Sequence, residues 1–448
     1  MKNLFASLAS FALRSETRGV IVSMMVKAAS ILSAFTLFTL SARVLGEEPF
    51  GQFALFFSAA SMAAVAAAFG QEMLIIRIWN ENVAAGRISV AKGGIVFGLL
   101  ISALGATLGA IVMAGLVFFY SNWAAALSAG LFVAAAVFLL FFSSLARSIV
   151  SILVGDGQRE LTALLFANVV LIFCLVFDRS SSVTSVVNLI VFGKVVAIAL
   201  QVFFLTRVLR RMYPEIFTAK PEFTADRWLP SSTRLWFASI LESSNQYLDV
   251  ILVGYLLDPI AAGAYFVTTR LANGFASVAD AFNMFAMRQF PELYYKADEG
   301  GLLRLLQTLA ILTALAVVGG LFVVGVAGHW LLLIFGSEYM AYYHVLVILC
   351  LGSAAMAATG PAAPVLMLTG HEGAYLRIVA LSVFIRVAGF FLIVPMFGIV
   401  GAAATTTVSL VAMAVLVSIR SRTATGYNVT ATRILGGLAP DRMNAKES

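Results

Sequence analysis

The sequence predicts an all-α integral membrane protein, and three observations support this fold class. Hydrophobic residues make up 61% of the 448 residues and charged residues only 11%, whereas soluble proteins contain about 45–50% and roughly 25%. The mean hydropathy is +0.98. The apolar residues also form continuous runs long enough to cross a bilayer as helices. Because a spanning backbone must satisfy its own hydrogen bonds, and the alternating strands of a membrane barrel do not occur, these runs are predicted to be helices.

Twelve apolar runs are present, six on each side of a polar stretch. They lie near residues 20–41, 52–78, 94–119, 124–146, 161–178, 183–206, 235–257, 262–287, 305–334, 342–369, 375–396 and 399–419. In the segment before the first run, Leu4, Leu8 and Phe11 share one helical face, which is typical of a helix lying on the membrane surface. We therefore predict five regions: an amphipathic interfacial segment (1–19), an N-terminal six-helix lobe (20–206), a cytoplasmic inter-lobe linker (207–234), a C-terminal six-helix lobe (235–419) and a polar cytoplasmic tail (420–448).

The basic residues predict the orientation of these spans. With the N-terminus in the cytoplasm, 23 of the 29 Lys and Arg residues fall on the cytoplasmic side and only Arg43 and Arg179 fall on the other. Translocated loops contain few Lys and Arg residues, so both termini are predicted to be cytoplasmic. The same distribution explains the net charge of +7 without nucleic-acid binding. Glu72 and Arg77 are expected at the inner membrane surface.

The two halves of the chain carry corresponding landmarks at a nearly constant offset. Four pairs are separated by 211 to 215 residues: Gly51 and Gly263, Phe53 and Tyr265, Arg77 and Arg288, and Gly155 and Gly370. Since each half has an even number of spans, the repeats are predicted to be parallel. Parallel repeats are typical of transporters that bind substrate between the halves, so we expect two lobes around a central cleft.

Two segments carry a family resemblance. SARVLGEEPFGQFALFFSAASMAAVAAAFGQEMLIIRIW, at 41–79, follows the pattern A-R-x-L-G-x-x-x-[FY]-G, then a span, then an Arg. YLDVILVGYLLDPIAAGAYFVTTRL, at 247–271, has an Asp before the loop and G-x-Y after it. Both resemble the polysaccharide-transporter family of Wzx-type lipid-linked oligosaccharide flippases, in the multidrug/oligosaccharidyl-lipid/polysaccharide (MOP) superfamily. The resemblance extends over roughly residues 40–420.

The resemblance implies a function and a setting. A family member would be a multi-pass protein of the bacterial inner membrane with a MATE-like fold. It would flip an undecaprenyl-diphosphate-linked glycan by alternating access. Its expected partners are membrane lipids, a polymerase and other membrane proteins of the pathway. Exopolysaccharide, capsule or O-antigen assembly would use the product. The related lipid II flippases usually have two more spans than the twelve predicted for this chain.

Four cations within the apolar runs are candidate ligands for the diphosphate: Lys27, Lys194, Arg270 and Arg386. A charge inside a span costs about 2.5–3.5 kcal/mol on insertion scales, so it must be paired or line water. Lys194, Arg270 and Arg386 are expected near the middle of the membrane, where Asp249 is the one expected acid. The resulting excess of two positive charges suits a diphosphate. In the alternative interpretation, Arg270 pairs with Asp249, and Lys194 and Arg386 only brace helix contacts or end in water.

Two polar stripes are predicted on adjacent spans. At 100° per residue, each set shares one helical face: Glu242, Asn245, Gln246 and Asp249 on one span, and Arg270, Asn273 and Asp280 on the next. If Glu242 and Asp280 share a cavity, one of them could couple transport to H⁺ or Na⁺. In the alternative interpretation, Glu242 and Asp280 are each paired separately, for example Glu242 with Lys27, or each is solvated at the interface. No cofactor and no metal site is predicted.

Two other functions remain open at this point. One is a MATE-like, cation-coupled drug exporter, whose binding cavity should be net acidic rather than net basic. The other is a membrane enzyme of a polysaccharide pathway, such as a polymerase or ligase. The sequence contains no phosphate-binding glycine loop, no H-E-x-x-H motif and no setting for a catalytic triad. We therefore expect a transporter and not an enzyme.

Overall fold

The computed structural model describes residues 15–296 and 298–436, apart from the side chains of 15–24, 275–289, 291, 294–295 and 435–436. Within this part of the chain the secondary structure is helical and contains no strand, which confirms the all-α prediction. Residues 1–14 of the predicted interfacial segment and 437–448 of the predicted tail lie outside it. The chain divides into two compact units between Ser243 and Ser244.

The first unit contains six long helical segments and several short ones. They are α1 (Ser15–Leu45), α2 (Glu47–Ala68), α3 (Gln71–Ala84), α4 (Ile88–Tyr120), α5 (Trp123–Ile149), a π-helix (Leu153–Thr162), α6 (Ala163–Val176), α7 (Val183–Met212), the short α8 (Glu215–Thr218) and the first part of α9 (Ala225–Leu256).

The second unit contains the end of α9 and the remaining elements. They are α10 (Pro259–Tyr295), α11 (Glu299–Leu333), a 3₁₀ turn (Ser337–Tyr342), α12 (Tyr343–Ala357), α13 (Ala362–Leu368), α14 (Glu372–Thr425) and a last 3₁₀ turn (Ala431–Gly436). Gly398 interrupts α14 with φ 58° and ψ −143°, at the predicted turn between two spans. A left-handed φ of this kind favours glycine.

Nine of the described helical segments are long and apolar enough to cross a membrane. α14, with its interruption at Gly398, is one of them, whereas α9 and α10 are not among the nine. The protein is therefore a multi-pass integral membrane protein. The number of twelve spans and the cytoplasmic position of both termini remain predictions.

The predicted linker, 207–234, is largely helical. It consists of the end of α7, the short α8, an extended stretch and the first turns of α9. The linker is fastened to the start of α4, because the Lys92 ammonium donates to the carbonyl of Phe217 at 3.2 Å and to that of Ala219 at 2.9 Å. The backbone N–H of Glu222 also donates to the carbonyl of Ser89 at 3.1 Å. These contacts make the linker part of the first unit.

A helix break separates α2 from α3 and exposes backbone carbonyls to α9. Phe69 and Gly70 both have positive φ, 50° and 71°. The Ser232 hydroxyl donates to the carbonyl of Phe69 at 2.5 Å, and the Trp236 indole N–H donates to that of Ala66 at 2.7 Å. An added Cβ at Gly70 would lie 2.7 Å from the carbonyl oxygen of Ser232. Glycine is therefore required here both by its conformation and by the close approach of α9.

Two glycines of α4, Gly105 and Gly115, differ in how closely a neighbouring helix approaches them. A Cβ added at Gly105 would overlap the carbonyl oxygen of Ala67 on α2, whereas a Cβ added at Gly115 would meet nothing within 4 Å. We expect Gly105→Ala to lower the stability of the protein by about 1–3 kcal/mol through overpacking. Gly115→Ala should be neutral or stabilising, because alanine is the better helix former.

Thermal unfolding of detergent-solubilised protein, followed by tryptophan fluorescence, measures both changes. Equal midpoints for the two variants would contradict the close contact between α2 and α4.

Candidate functional site

The π-helix carries charged residues into the first unit. Helices of this type are rare and frequently occur at functional sites. The buried Gln201 amide holds the segment by donating to the carbonyl of Gly155 at 3.0 Å and to the Ser143 hydroxyl at 2.9 Å. Gly155 packs closely on α5, since an added Cβ would lie 2.6 Å from the Ser143 carbonyl oxygen. Arg159 and Glu160 lie on the same π-helix, a few residues after this anchored glycine.

Arg159 and Glu160 connect two of the four predicted diphosphate ligands. The guanidinium of Arg159 pairs with the Glu160 carboxylate at 2.9 Å and interacts electrostatically with Lys194. Glu160 interacts in turn with Lys27, whose side chain is exposed. We call Lys27, Arg159 and Lys194 the cationic cluster. The sequence places Arg159 only among the basic residues that set the topology. Its position four residues after the repeat landmark Gly155 is the feature of the sequence that could have marked it as a site residue.

Lys194 is half-buried on α7. Its ammonium lies 4.3 Å from the centroid of the Phe132 ring, a favourable contact between a cation and an aromatic face. No carboxylate of the described residues lies within ion-pairing distance of this ammonium. Lys194 therefore keeps hydrogen-bond donors for a ligand, close to a second cation.

Arg386, the second predicted arginine ligand, is committed to a buried network in the second unit. Its side chain is 1% exposed, and its Nη1 lies 3.5 Å from Oδ1 of Asp249. The Nε of Arg386 also donates to the Ser409 hydroxyl at 2.8 Å. The structure thus pairs Asp249 with Arg386, not with Arg270 as in the alternative interpretation of the sequence. Arg386 is buried in this arrangement with Nη2 still without a hydrogen-bond partner among the described residues, and its role as a diphosphate ligand stays a prediction.

The same network joins three helices. The Thr406 hydroxyl donates to Oδ2 of Asp249 at 2.9 Å, so the Tyr265 hydroxyl, 2.7 Å from that of Thr406, must be the donor in their contact. Asp249 lies on α9, Tyr265 on α10, and Arg386 and Thr406 lie on opposite sides of the interruption in α14. The network therefore holds the two parts of α14 against α9 and α10.

Arg270 is half-buried among aromatic rings. Its guanidinium carbon lies 4.7 Å from the Phe266 centroid and 5.8 Å from that of Tyr247. These contacts stabilise the cation without removing its charge. Arg270 thus stays a candidate anion ligand of the second unit.

The residues of the two predicted polar stripes have different surroundings. Glu242, Gln246 and Asn273 are exposed, whereas Asn245 is half-buried. The side-chain oxygen of Asn245 has no hydrogen-bond partner among the described residues. The side chain of Asp280 lies outside the described part, so the predicted proximity of Glu242 and Asp280 stays a prediction.

Glu72 has protein neighbours that the sequence did not predict, and its place at the inner membrane surface stays a prediction. Arg77 is exposed and pairs with Glu81 at 2.7 Å, as expected for the membrane surface. Glu72 is instead 9% exposed, because it follows the break at Gly70 and points towards α9. Its Oε1 accepts a hydrogen bond from the Ser239 hydroxyl at 2.8 Å. A carboxylate beside a helix break in an apolar run was the signal in the sequence.

The network around Arg386 predicts a large effect on stability. Arg386→Met would leave the Asp249 carboxylate buried without its cation, which should cost about 3–5 kcal/mol. The double variant Asp249→Asn/Arg386→Met should recover part of that loss. Arg77→Met, which breaks an exposed pair worth about 0–1 kcal/mol, is the control.

Denaturation of the purified variants, together with their yield of folded protein in membranes, measures these differences. A single Arg386→Met variant as stable as the wild type would show that Asp249 does not need its partner.

Comparison with known proteins places this architecture in a family. A family model described as "Polysaccharide biosynthesis protein" matches residues 17–291. A comparison with curated proteins found no match. Among solved structures, an inward-facing multidrug resistance MATE family transporter of the MOP superfamily is similar, with a TM-score of 0.67 and 12% identity over 94% of this chain and 99% of the other.

Two further structures share the fold. A Vibrio cholerae MATE transporter has a TM-score of 0.62 and 16% identity, over 95% of this chain and 99% of its own. The lipid II flippase MurJ, in an inward closed conformation, has a TM-score of 0.61 and 12% identity, over 89% and 87%. The family match covers more than half of the chain and these structures share its architecture, which confirms the resemblance found in the sequence: the chain belongs to the polysaccharide biosynthesis protein family and has the fold of the MOP superfamily.

Proposed function

We propose that the protein is a flippase that carries a lipid-diphosphate-linked oligosaccharide across the bacterial inner membrane by alternating access. The observation that carries the proposal is the Lys194 ammonium, which lies over the Phe132 ring at 4.3 Å and has no carboxylate of the described residues within ion-pairing distance. It also interacts electrostatically with the like charge of Arg159. Like charges in such surroundings are unfavourable, and an anionic ligand would relieve the repulsion.

The cationic cluster suits a diphosphate in its chemistry. The Arg159 guanidinium can offer two parallel N–H donors to phosphate oxygens, and the Lys194 ammonium adds a compact positive charge. Lys27 is exposed and can meet the headgroup as it arrives. Arg386 is left out of the site because it serves Asp249, and Arg270 remains a candidate from the second unit.

The family and the fold support a lipid-linked oligosaccharide as the transported substrate. The matching family is described by polysaccharide biosynthesis, and MurJ is described as a flippase of lipid II, a lipid-linked substrate. By analogy, the lipid of an undecaprenyl-diphosphate carrier would stay in the bilayer while the glycan crosses. Any such cycle needs different affinities of the ligand for the two access states. The product would serve exopolysaccharide, capsule or O-antigen assembly, in proximity to a polymerase and other pathway proteins.

A second candidate is a drug exporter, and the similarity to MATE transporters favours it. An exporter of cationic drugs should bind its substrate with acidic groups. Among the described acidic residues, Glu160 pairs with Arg159 and interacts with Lys27, and Glu72 interacts with Arg159. The three cations of the cluster outnumber these two acids. This excess of positive charge favours an anionic substrate.

Replacement of Lys194 tests the proposed site. Lys194→Gln removes a charged hydrogen bond worth about 1.5–3 kcal/mol, so transport should slow by roughly tenfold or more. Lys194→Arg should keep most of the activity. The control is Lys296→Gln, because Lys296 is exposed and pairs only with Glu292 at 2.7 Å.

The measurement uses proteoliposomes with a fluorescently labelled undecaprenyl-diphosphate monosaccharide. Quenching by a membrane-impermeant reductant reports its movement between leaflets. Wild-type rates in Lys194→Gln would refute the diphosphate site. Ethidium efflux by wild-type cells, insensitive to Lys194, would instead support the drug exporter.

A further inference from the structure

Glu72 has an incomplete set of partners. It is the second residue of α3, directly after the break at Phe69 and Gly70. One carboxyl oxygen accepts from Ser239. The other, Oε2, is buried and has no hydrogen-bond partner on another described residue. The backbone N–H of Glu72 itself, in the first turn of α3, is the one further donor that interacts with the carboxylate. An ionised carboxylate in such a place is costly unless it is paired and fully hydrogen-bonded.

The surrounding charges do not supply that pairing. The described charged side chains on the elements around α3 are Lys92 on α4, Arg147 on α5, Asp156, Arg159 and Glu160 on the π-helix, and Asp226, Arg227, Arg234 and Glu242 on the part of α9 in the first unit. Lys92 binds the linker carbonyls, and Arg147 lies 3.5 Å from Asp156. Of the whole set, Arg159 and Glu242 interact electrostatically with Glu72. Glu242 carries the same charge as Glu72 and repels it. Arg159 is already paired with Glu160 and forms no ion pair with Glu72.

We propose that Glu72 is a proton-binding site that regulates anion binding by the cationic cluster. The proton comes from a hydronium ion of the solvent, whose O–H bond breaks, leaving water, as the new O–H bond to Oε2 forms. Oε1 keeps the hydrogen bond from Ser239. This inference rests on the proposed function for the identity of the anion.

The link between the two sites is Arg159. Ionised Glu72 attracts the Arg159 guanidinium and lowers the positive potential offered to a diphosphate. Protonation removes one negative charge, so the cationic cluster binds the anion more tightly. Because such coupling is reciprocal, binding of the anion must draw a proton onto Glu72. The proton and the diphosphate then bind the first unit together.

The first arm of the test needs no ligand. Infrared difference spectra of the purified, reconstituted protein are recorded from neutral to alkaline pH. We expect the carbonyl band of a protonated carboxyl at neutral pH, its loss on titration to alkaline pH, and its absence from Glu72→Gln. Glu81→Gln, an exposed variant on the same helix, should keep the band. A missing band, or a band that no alkaline pH removes, would overturn the proton site.

The second arm measures binding of farnesyl diphosphate, a short analogue of a polyprenyl diphosphate. Glu72→Gln mimics the protonated carboxyl, keeps an oxygen for Ser239, and should bind equally or more tightly than the wild type. Its advantage in Kd should rise to roughly fivefold or more at alkaline pH. A constant ratio of wild-type to Glu72→Gln Kd across the titration would overturn the coupling.

The two arms separate this inference from the proposed function. Failure of the wild type to bind farnesyl diphosphate at any pH, with the infrared band intact, would refute the diphosphate ligand and with it the regulation, but would support Glu72 as a proton site. Normal binding without the band would refute the proton site and leave the proposed function standing.

Discussion

The cost of a charge in an apolar medium is the constraint on which the rest of this structure depends. With 61% hydrophobic residues, the chain leaves its few intramembrane charges little water, so each needs a protein partner or a ligand. Asp249 and Arg386 meet this requirement with each other and with Thr406 and Ser409. Arg270 meets it with aromatic rings. Lys194 has no carboxylate of the described residues within ion-pairing distance, and Glu72 keeps one carboxyl oxygen without a partner on another described residue. These are the two charges for which a ligand is proposed.

Helix breaks and glycines place the polar groups. The break at Gly70 opens carbonyls for Ser232 and Trp236 and turns Glu72 towards Ser239. The π-helix does the same for Arg159, with Gln201 bound to its carbonyls. In both places the departure from regular helix geometry brings a charge into the first unit. The same irregularity costs backbone hydrogen bonds, which buried Ser, Gln and Trp side chains replace.

Arg159 connects the proposed function and its proposed regulation. It pairs with Glu160, repels Lys194 and attracts Glu72. Because Arg159 interacts with both Lys194 and Glu72, a change in the charge of Glu72 alters the electrostatic potential at Lys194. Ligand binding and proton binding would then share one set of electrostatic energies, without a separate mechanical pathway between them.

The sequence by itself determined the fold class and the family, and its apolar runs fall within the observed helices, because hydropathy acts locally along the chain. The helix ends and the breaks inside several runs were not predicted. The sequence singled out Lys27, Lys194, Arg270 and Arg386, since a Lys or Arg in an apolar run is conspicuous, but it left Arg159 among the topology residues. The tertiary structure alone decided their partners. Asp249 and Arg386 are 137 residues apart, and no periodicity could pair them or exclude Arg270. Depth along a single helix likewise says nothing about the neighbours of Glu72. The helix break and the approach of α9 bury it, because burial depends on residues that are distant in the chain.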